Sequence, residues 1–233
     1  MEKNKNNYSY NYNYITGVCI AELLTCPIQT IITNYQTSNN NIPTIIKNIF
    51  YKQHITGFYN SLNYSILSKT ISSTTKYNIY QNMKLYRNTN DSDLYNNIFN
   101  SAFAGCVGGI ISHPIDVCIN YKQRNQKIIF GTKLLSGMTT TIFRNLMLYS
   151  LLFSLYDYVR IKTNNIIFSC FLTSFITTTM MSPIDYIRTN IMTGKILYKN
   201  IIFANIYRGY SMALLKNTIH FTTTMSVMNF FSQ

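Results

Sequence analysis

The chain has few acidic residues and few prolines, and it carries none of the short motifs that mark common enzyme sites. Only 7 of its 233 residues are Asp or Glu, which leaves little material for a pair of catalytic carboxylates. It has no glycine-rich loop that could hold a phosphate, no HExxH metal motif and no nucleophile elbow. The sequence therefore predicts a protein that is not an enzyme and that uses no cofactor.

Cysteine and histidine are also scarce. The five cysteines include no CxxC pair, and the three histidines have no metal-ligand spacing, so no metal site is expected. We interpret the cysteines as small apolar packing residues. His113, which precedes a proline, is interpreted in the same way, as a packing or interface residue.

Charge is low and long apolar runs are missing. Charged residues make up 12% of the chain and hydrophobic residues 47%, a composition that favours a membrane protein. However, the mean hydropathy is only +0.01, and no stretch of about 20 residues is uniformly apolar. Ser, Thr, Asn and Tyr alternate with Ile, Leu and Phe, which indicates helices with one face toward lipid and one toward a water-filled cavity.

The first residues, 1–14, are rich in Asn and Tyr. They resemble neither a secretory signal nor an Arg-rich transit peptide. We therefore expect an integral, multi-pass membrane protein without a cleavable presequence.

Three of the four prolines lie in one repeated phrase. Its copies are Cys26-Pro27-Ile28-Gln29, His113-Pro114-Ile115-Asp116 and Ser182-Pro183-Ile184-Asp185. A proline inside a helix removes one backbone hydrogen bond and kinks the helix. Three kinked helices at equivalent places predict a membrane transporter built from repeats.

The predicted fold is all-α, with six transmembrane helices in three repeats related by pseudo-threefold symmetry. The helices are expected at 12–37, 57–84, 96–124, 136–160, 165–192 and 208–231. The repeats form one domain, 1–233, and cover about 12–87, 96–162 and 165–233. Short surface helices are expected at 42–53 and 195–204, between the helices of a pair. Both chain ends should lie on the same side of the membrane.

A second register supports the triplication. Counting the same number of residues from the start of the second predicted helix of each repeat reaches a pair of polar or cationic residues. The three pairs are Ser68-Lys69, Arg144-Asn145 and Lys216-Asn217. Further along each of these helices, the same count reaches Gln81, Asp157 and Asn229.

These motifs resemble the mitochondrial carrier family. Its signature, Pro-x-[Asp/Glu]-x-x-[Lys/Arg], is complete in Pro183-Ile184-Asp185-Tyr186-Ile187-Arg188, and its second motif is complete in Tyr156-Asp157-Tyr158-Val159-Arg160. The first repeat has only Pro27, Gln29 and Gln36. The resemblance implies a monomeric antiporter of the mitochondrial inner membrane, in contact with an acidic phospholipid such as cardiolipin. The heavy use of Asn, Ile, Lys and Tyr indicates that the gene comes from an AT-rich genome. We expect that genome to be viral or protist.

The resemblance also implies two gates, one at each end of the cavity. In the first gate Asp116 can pair with Arg188, whereas Gln29 faces Ile119 and Asp185 faces Ile32, so one ion pair remains of three. The second gate would place Gln81 against Arg160, Asp157 against Ser232 and Asn229 against Lys84, with no opposite charges meeting. We therefore expect both closed states to depend on packing and neutral hydrogen bonds. The alternative is that these positions have drifted in a protein that no longer transports.

The central site is expected at Lys69, Arg144 and Lys216, with Ser68, Asn145 and Asn217 beside them. A cation at this depth is costly unless it faces a cavity or a partner, and family members contact substrate at the equivalent positions. The two lysines could instead extend to the membrane interface. Glu22, inside the first span, either pairs with one of the cations or titrates and couples proton movement to transport.

The predicted substrate is an anionic metabolite, most simply a nucleotide or deoxynucleotide, since clustered cations suit a polyphosphate and the 20 tyrosines offer stacking surfaces. A di- or tricarboxylate or keto acid is the alternative, because Arg144-Asn145 resembles the arrangement in family members that carry carboxylates. The Arg-Arg-Arg-Met-Met-Met phrase of ADP/ATP carriers is missing.

Two other classes remain open. A nucleic-acid-binding protein would explain the net charge of +13 but not the proline repeats, so no nucleic acid partner is expected. A membrane scaffold that kept the fold and lost transport is the third possibility.

Overall fold

The computed structural model describes residues 2–87, 94–128, 131–194 and 206–232, which form helices and short connections with no strand among them. The α-helices are α1 (Glu2–Thr37), α2 (Ile42–Gln53), α3 (Leu62–Arg87), α4 (Leu94–Gln123), α5 (Met138–Thr163), α6 (Ile166–Met192) and α7 (Tyr210–Ser232). Two short 3-10 segments, Ile55–Tyr59 and Thr132–Leu135, precede α3 and α5. The prediction of an all-α fold is confirmed.

The six long helices match the sequence prediction closely, with two differences at their starts. Helix α1 begins at Glu2 instead of residue 12. Helix α3 begins at Leu62 instead of 57, because the segment before it is coiled into the tighter 3-10 form. The predicted surface helix at 42–53 is present as α2, where Pro43 occupies the first turn and so removes no helical hydrogen bond. The predicted helix at 195–204 lies outside the described residues.

Each proline of the repeated phrase lies inside a helix that continues past it. Pro27 is in α1, Pro114 in α4 and Pro183 in α6. A carbonyl four residues before each proline loses its usual N–H partner at these points. The prolines thus occupy the same kind of position in the first long helix of each predicted repeat.

In the part of the chain that the structure describes, three segments are both long and apolar enough to cross a membrane, and they contain these prolines. They are Ile15–Thr37, Ile98–Gln123 and Ile167–Met192. Helices α3, α5 and α7 have 26, 26 and 23 residues, a length that also suffices at about 1.5 Å per residue, but they carry more polar side chains. The arrangement of six spans about a threefold axis remains a prediction.

The long helices pack in a closed order. Helix α1 contacts α3, each helix from α3 to α6 contacts the next, and α7 returns to pack closely against α1. A closed ring of helices gives each of them an inner and an outer face. The candidate site is built on the inner faces.

Polarity across the helices is the reverse of that in a water-soluble protein. Large apolar side chains such as Leu24, Phe143 and Phe171 are about half exposed. Many of the buried side chains are hydroxyls or amides, among them Thr25, Thr33, Ser68, Ser72, Thr141, Asn145, Thr173, Thr177 and Asn190. Apolar surface outside and polar groups inside fit a bundle that is surrounded by lipid.

Several buried hydroxyls bond within their own helix. Thr25 Oγ1 donates to the Ala21 carbonyl at 2.7 Å, Thr177 Oγ1 to the Thr173 carbonyl at 2.7 Å, and Thr224 Oγ1 to the His220 carbonyl at 2.8 Å. Such bonds to the preceding turn satisfy the hydroxyl without a partner from another helix.

Glycines on α4 allow its neighbours to approach. A Cβ at Gly105 would collide with the Tyr149 ring of α5, and one at Gly109 with the Asn145 amide. A Cβ at Gly108 would lie 2.6 Å from the Lys76 side chain of α3. Helix α4 is therefore packed tightly against both neighbours through its small residues.

Candidate functional site

Arg144 of α5 and Asp185 of α6 form a two-point ion pair on the inner faces of their helices. Arg144 Nε donates to Asp185 Oδ1, and Nη2 donates to Oδ2 at 3.3 Å. Both side chains are partly exposed, with 20% and 28% of their surface accessible. This planar geometry is the one in which guanidinium binds carboxylate best.

The pair corrects one expectation from the sequence. Asp185 was expected to face Ile32 without a partner, which would have left one ion pair. Since isoleucine at position 32 offers no cation from α1, the carboxylate binds the guanidinium of α5 instead. Arg144, predicted as a substrate contact, is thus occupied by a carboxylate of the protein itself.

Asp116 of α4 lies where three helices meet. Its Oδ2 accepts from Arg188 Nη2 of α6 at 2.6 Å, and its Oδ1 accepts from Ser68 Oγ of α3 at 2.5 Å. Arg188 Nε also donates to Thr141 Oγ1 of α5 at 2.9 Å. The structure thus joins two of the predicted gate residues to Ser68, which was predicted for the central site.

Neutral hydrogen bonds connect the first repeat to α4. Gln29 Nε2 donates to Thr33 Oγ1 on its own helix at 3.3 Å, and Thr33 Oγ1 donates to Gln123 Oε1 at 2.6 Å. Gln123 Nε2 in turn donates to Ser61 Oγ at 3.2 Å. Of these four residues, Gln29 occupies a position where the family signature has an acidic residue.

Glu22 is buried on α1 and contacts two basic side chains. Its Oε1 lies 3.2 Å from His220 Nε2 of α7 and 3.9 Å from Lys69 Nζ of α3. About half of the Lys69 side-chain surface is exposed, whereas only 10% of the Glu22 side-chain surface is exposed. Sequence reasoning identified Glu22 but missed His220, which lies one helical turn after Lys216.

The remaining predicted residues line the same interior. Lys216 interacts electrostatically with Lys69, Arg144, Asp185 and Glu22. The flanking amides are used within the bundle: Asn217 Nδ2 donates to Thr178 Oγ1 at 2.9 Å, and Asn145 Nδ2 to the Gly105 carbonyl at 3.4 Å. The cations of the three repeats therefore act on one shared region.

Lys76 of α3 was not predicted for the site. Its Nζ contacts the Tyr149 hydroxyl and lies 4.4 Å from the centre of that ring. Tyr149 also interacts electrostatically with Lys69 and Arg144. The lysine lies seven residues after Lys69, two turns along the same helix face, which is the sequence signal that could have found it.

The second predicted gate is only partly described. The side chains of Gln81, Lys84 and Asp157 lie outside the described residues. Arg160 has its guanidinium 5.8 Å from the centre of the Tyr156 ring, and its Nη1 donates to the Tyr156 hydroxyl at 3.5 Å.

Two other features bear on ligand binding. Among the described residues no three His, Cys, Asp or Glu side chains come together as a metal site would require. A separate pocket of about 660 Å³ lies near the ends of α4 and α6, lined by Tyr121, Lys127, Lys133 and Met192 among others. It shares no lining residue with the central cluster.

Comparison with known proteins identifies the family. The chain is 30% identical over 222 residues, 92% of each chain, to a mitochondrial carrier-like protein of Acanthamoeba polyphaga mimivirus. The chain belongs to the mitochondrial carrier family. This carrier is also 24% identical over 213 residues to mitochondrial citrate transporter F of Aspergillus niger, covering 76% of this chain and 69% of the relative. No family model matches it.

Family membership and the apolar helices together make this carrier an integral membrane protein of the transporter type. At the level of the family it is a transporter and not an enzyme.

Proposed function

We propose that this carrier exchanges a small anionic metabolite across the mitochondrial inner membrane through the cluster of Lys69, Arg144 and Lys216. In this proposal α1 and α3 to α7 are the six spans of three repeats, and the cluster opens to each side in turn. The supporting observation is that cations from α3, α5 and α7 act on one interior region of a bundle whose outer surface is apolar. An interior of this kind attracts anions and holds them away from lipid.

The charge balance of the interior favours a di- or tricarboxylate as substrate. The inner cations are Lys69, Lys76, Arg144, Arg188 and Lys216, and the carboxylates among them are Glu22, Asp116 and Asp185. Two positive charges remain, which suits a dianion or trianion better than a nucleoside triphosphate. Arg144 already binds one carboxylate in a two-point geometry. The relative named as a citrate transporter is consistent with this choice.

A nucleotide or deoxynucleotide is the second candidate. Tyr149, packed against Lys76, places an aromatic ring beside a cation in this interior. Such a ring could stack on a base while the cations bind phosphate.

Reconstitution into liposomes tests the proposal. We expect exchange of labelled citrate, malate or oxoglutarate in liposomes loaded with the same compounds, and slower exchange of nucleotides. Arg144→Ala should reduce the exchange at least about tenfold, because one desolvated charged hydrogen-bond partner contributes about 1.5–3 kcal/mol. The matched control is Arg124→Ala, whose guanidinium bonds the Thr193 carbonyl at the end of the bundle.

Two results would contradict the proposal. One is equal loss in both arginine variants. The other is no exchange of any carboxylate or nucleotide by correctly inserted protein, which would favour the membrane scaffold.

A further inference from the structure

The contact between Glu22 and His220 lies where α1 packs against α7. Helices α1 and α7 approach each other at Gly17, where a Cβ would lie 3.2 Å from the Thr224 carbonyl oxygen. About one helical turn from that point, His220 Nε2 lies 3.2 Å from Glu22 Oε1. A carboxylate and an imidazole are therefore held together by the backbones of the first and last helices.

Glu22 differs from the other two interior carboxylates in its partners. Asp116 and Asp185 are each bound by a guanidinium, which stays protonated at any physiological pH. Glu22 is bound by an imidazole, with Lys69 at the longer distance of 3.9 Å. Imidazole is the side chain that gains and loses a proton near neutral pH. Of the ion pairs in the described part of the chain, this one can change its proton content under cellular conditions.

The charged and titratable groups around the pair come from every helix packed nearby. Lys69 of α3 and Lys216 of α7 are the cations that act on both members, and Cys26 lies one turn along α1 from Glu22. Asp185 of α6 acts on Lys216 but is paired with Arg144 of α5. The pair is therefore surrounded mainly by positive charge.

We propose that Glu22 and His220 form a proton-binding pair that couples anion movement to proton movement in the same direction. This inference rests on the proposed function of anion transport. One proton from water in the cavity adds to the imidazole of His220, giving an imidazolium bonded to the Glu22 carboxylate. The same N–H bond breaks when the site faces the other side, and the proton leaves to water there.

Coupling follows from the two lysines. Their charges repel a further proton on His220 while the cavity holds no anion. An anion bound at Lys69 and Lys216 cancels much of that repulsion, so the protonated pair and the bound anion favour each other. This mutual effect is reciprocal by thermodynamic necessity. The anion and the proton therefore cross together, and an acidic outside drives anion uptake.

Proteoliposomes with an imposed pH gradient test the inference. The measured quantity is the ratio of labelled anion uptake with an acidic outside to uptake without a gradient, with the membrane potential clamped by potassium and valinomycin. The wild-type ratio should be several-fold above one and should return to one with a protonophore. A pH-sensitive dye in the lumen should report acidification when anion is added outside.

Single substitutions distinguish the role of Glu22 and His220 from general effects on the protein. Glu22→Gln and His220→Asn should bring the ratio to about one, whatever their absolute rates, and Glu22→Asp should recover part of it because it keeps the carboxylate. The matched control is His54→Asn, at the exposed end of α2, which should keep the wild-type ratio. Asparagine tolerates the positive φ of 54° at that position.

The outcomes are distinguishable. A wild-type ratio of one, with normal anion exchange, overturns the proton coupling and leaves the anion carrier in place. An unchanged ratio in both Glu22→Gln and His220→Asn also overturns it. Absence of anion exchange under every condition overturns the proposed function, and this inference with it.

Discussion

At the scale of single residues, the pairing of Arg144 with Asp185 means that the guanidinium already has an anionic ligand. In the proposed function, a substrate carboxylate that binds Arg144 must displace the Asp185 carboxylate. We therefore expect the Asp185 side chain to compete with the substrate for the same donors.

Asp185→Asn tests this competition. The neutral amide binds the guanidinium more weakly than a carboxylate does, so we expect the KM for anion exchange to fall by about tenfold, equivalent to about 1.4 kcal/mol. The thermal stability of the purified protein should decrease, because Arg144 loses its charged partner. The decrease should be slight, since both side chains of the pair are partly exposed to solvent. Exchange kinetics in liposomes measure the first effect. A KM that rises would show that Asp185 supports substrate binding.

Sequence reasoning located the central cations but missed the pairing of Arg144 with Asp185 and the contact of His220 with Glu22. The repeat register led directly to Lys69, Arg144 and Lys216, because equivalent positions in three copies strengthen one another. Partner choice depends on which helices face each other and at what height, and no repeat encodes that. The approach of His220 to Glu22, 198 positions apart in the chain, has no local sequence signal.

At the scale of helices, α4 is the element most restricted by its neighbours. Its glycines lie against Tyr149 and Asn145 of α5 and against Lys76 of α3. These contacts place the α3 and α5 side chains that form one wall of the site.

Gly105→Ala should therefore destabilise the protein. The added methyl group collides with the Tyr149 ring, and such overpacking typically costs about 1–3 kcal/mol. We expect a lower melting temperature in detergent and a displaced Lys76–Tyr149 contact, with slower exchange as a result. Ile111→Ala is the matched control, since this side chain of α4 points outward and is 48% exposed. Equal melting temperatures for both variants would contradict tight packing at Gly105.

Helix positions were largely predictable because length, apolar content and the proline phrase agree along each segment. The early start of α1 was missed because residues 2–14 are rich in Asn, Tyr and Lys, which gives no apolar pattern to follow. The delayed start of α3 was missed because a 3-10 turn and a first helical turn have similar residue preferences.

At the scale of the whole molecule, the sequence predicts that the two gates differ in the opposite charges they retain. The end with Asp116 and Arg188 has an ion pair reinforced by Ser68 and Thr141. At the other end, Arg160 is packed on Tyr156 of its own helix. We expect the second gate to open more readily than the first.

Gln81→Glu should strengthen the second gate by placing a carboxylate opposite Arg160. An ion pair with solvent access contributes about 0–1 kcal/mol, so the exchange rate should change by up to about fivefold. Initial rates at saturating substrate provide the measurement. Asn82→Asp adds the same charge at the next position, whose side chain is exposed, and should leave the rate unchanged. Identical rates for wild type and Gln81→Glu would count against this gate assignment.

The hydroxyl groups that bond to the preceding turn of their own helix have a consequence for how the protein is made. Because these hydroxyls are already satisfied, they add little to the cost of placing a single helix in the bilayer before its neighbours are in position. The charged interior groups, whose partners lie on other helices, gain those partners only on assembly. Biogenesis of this chain can separate insertion from assembly, and closing α7 against α1 is the step that completes the interior.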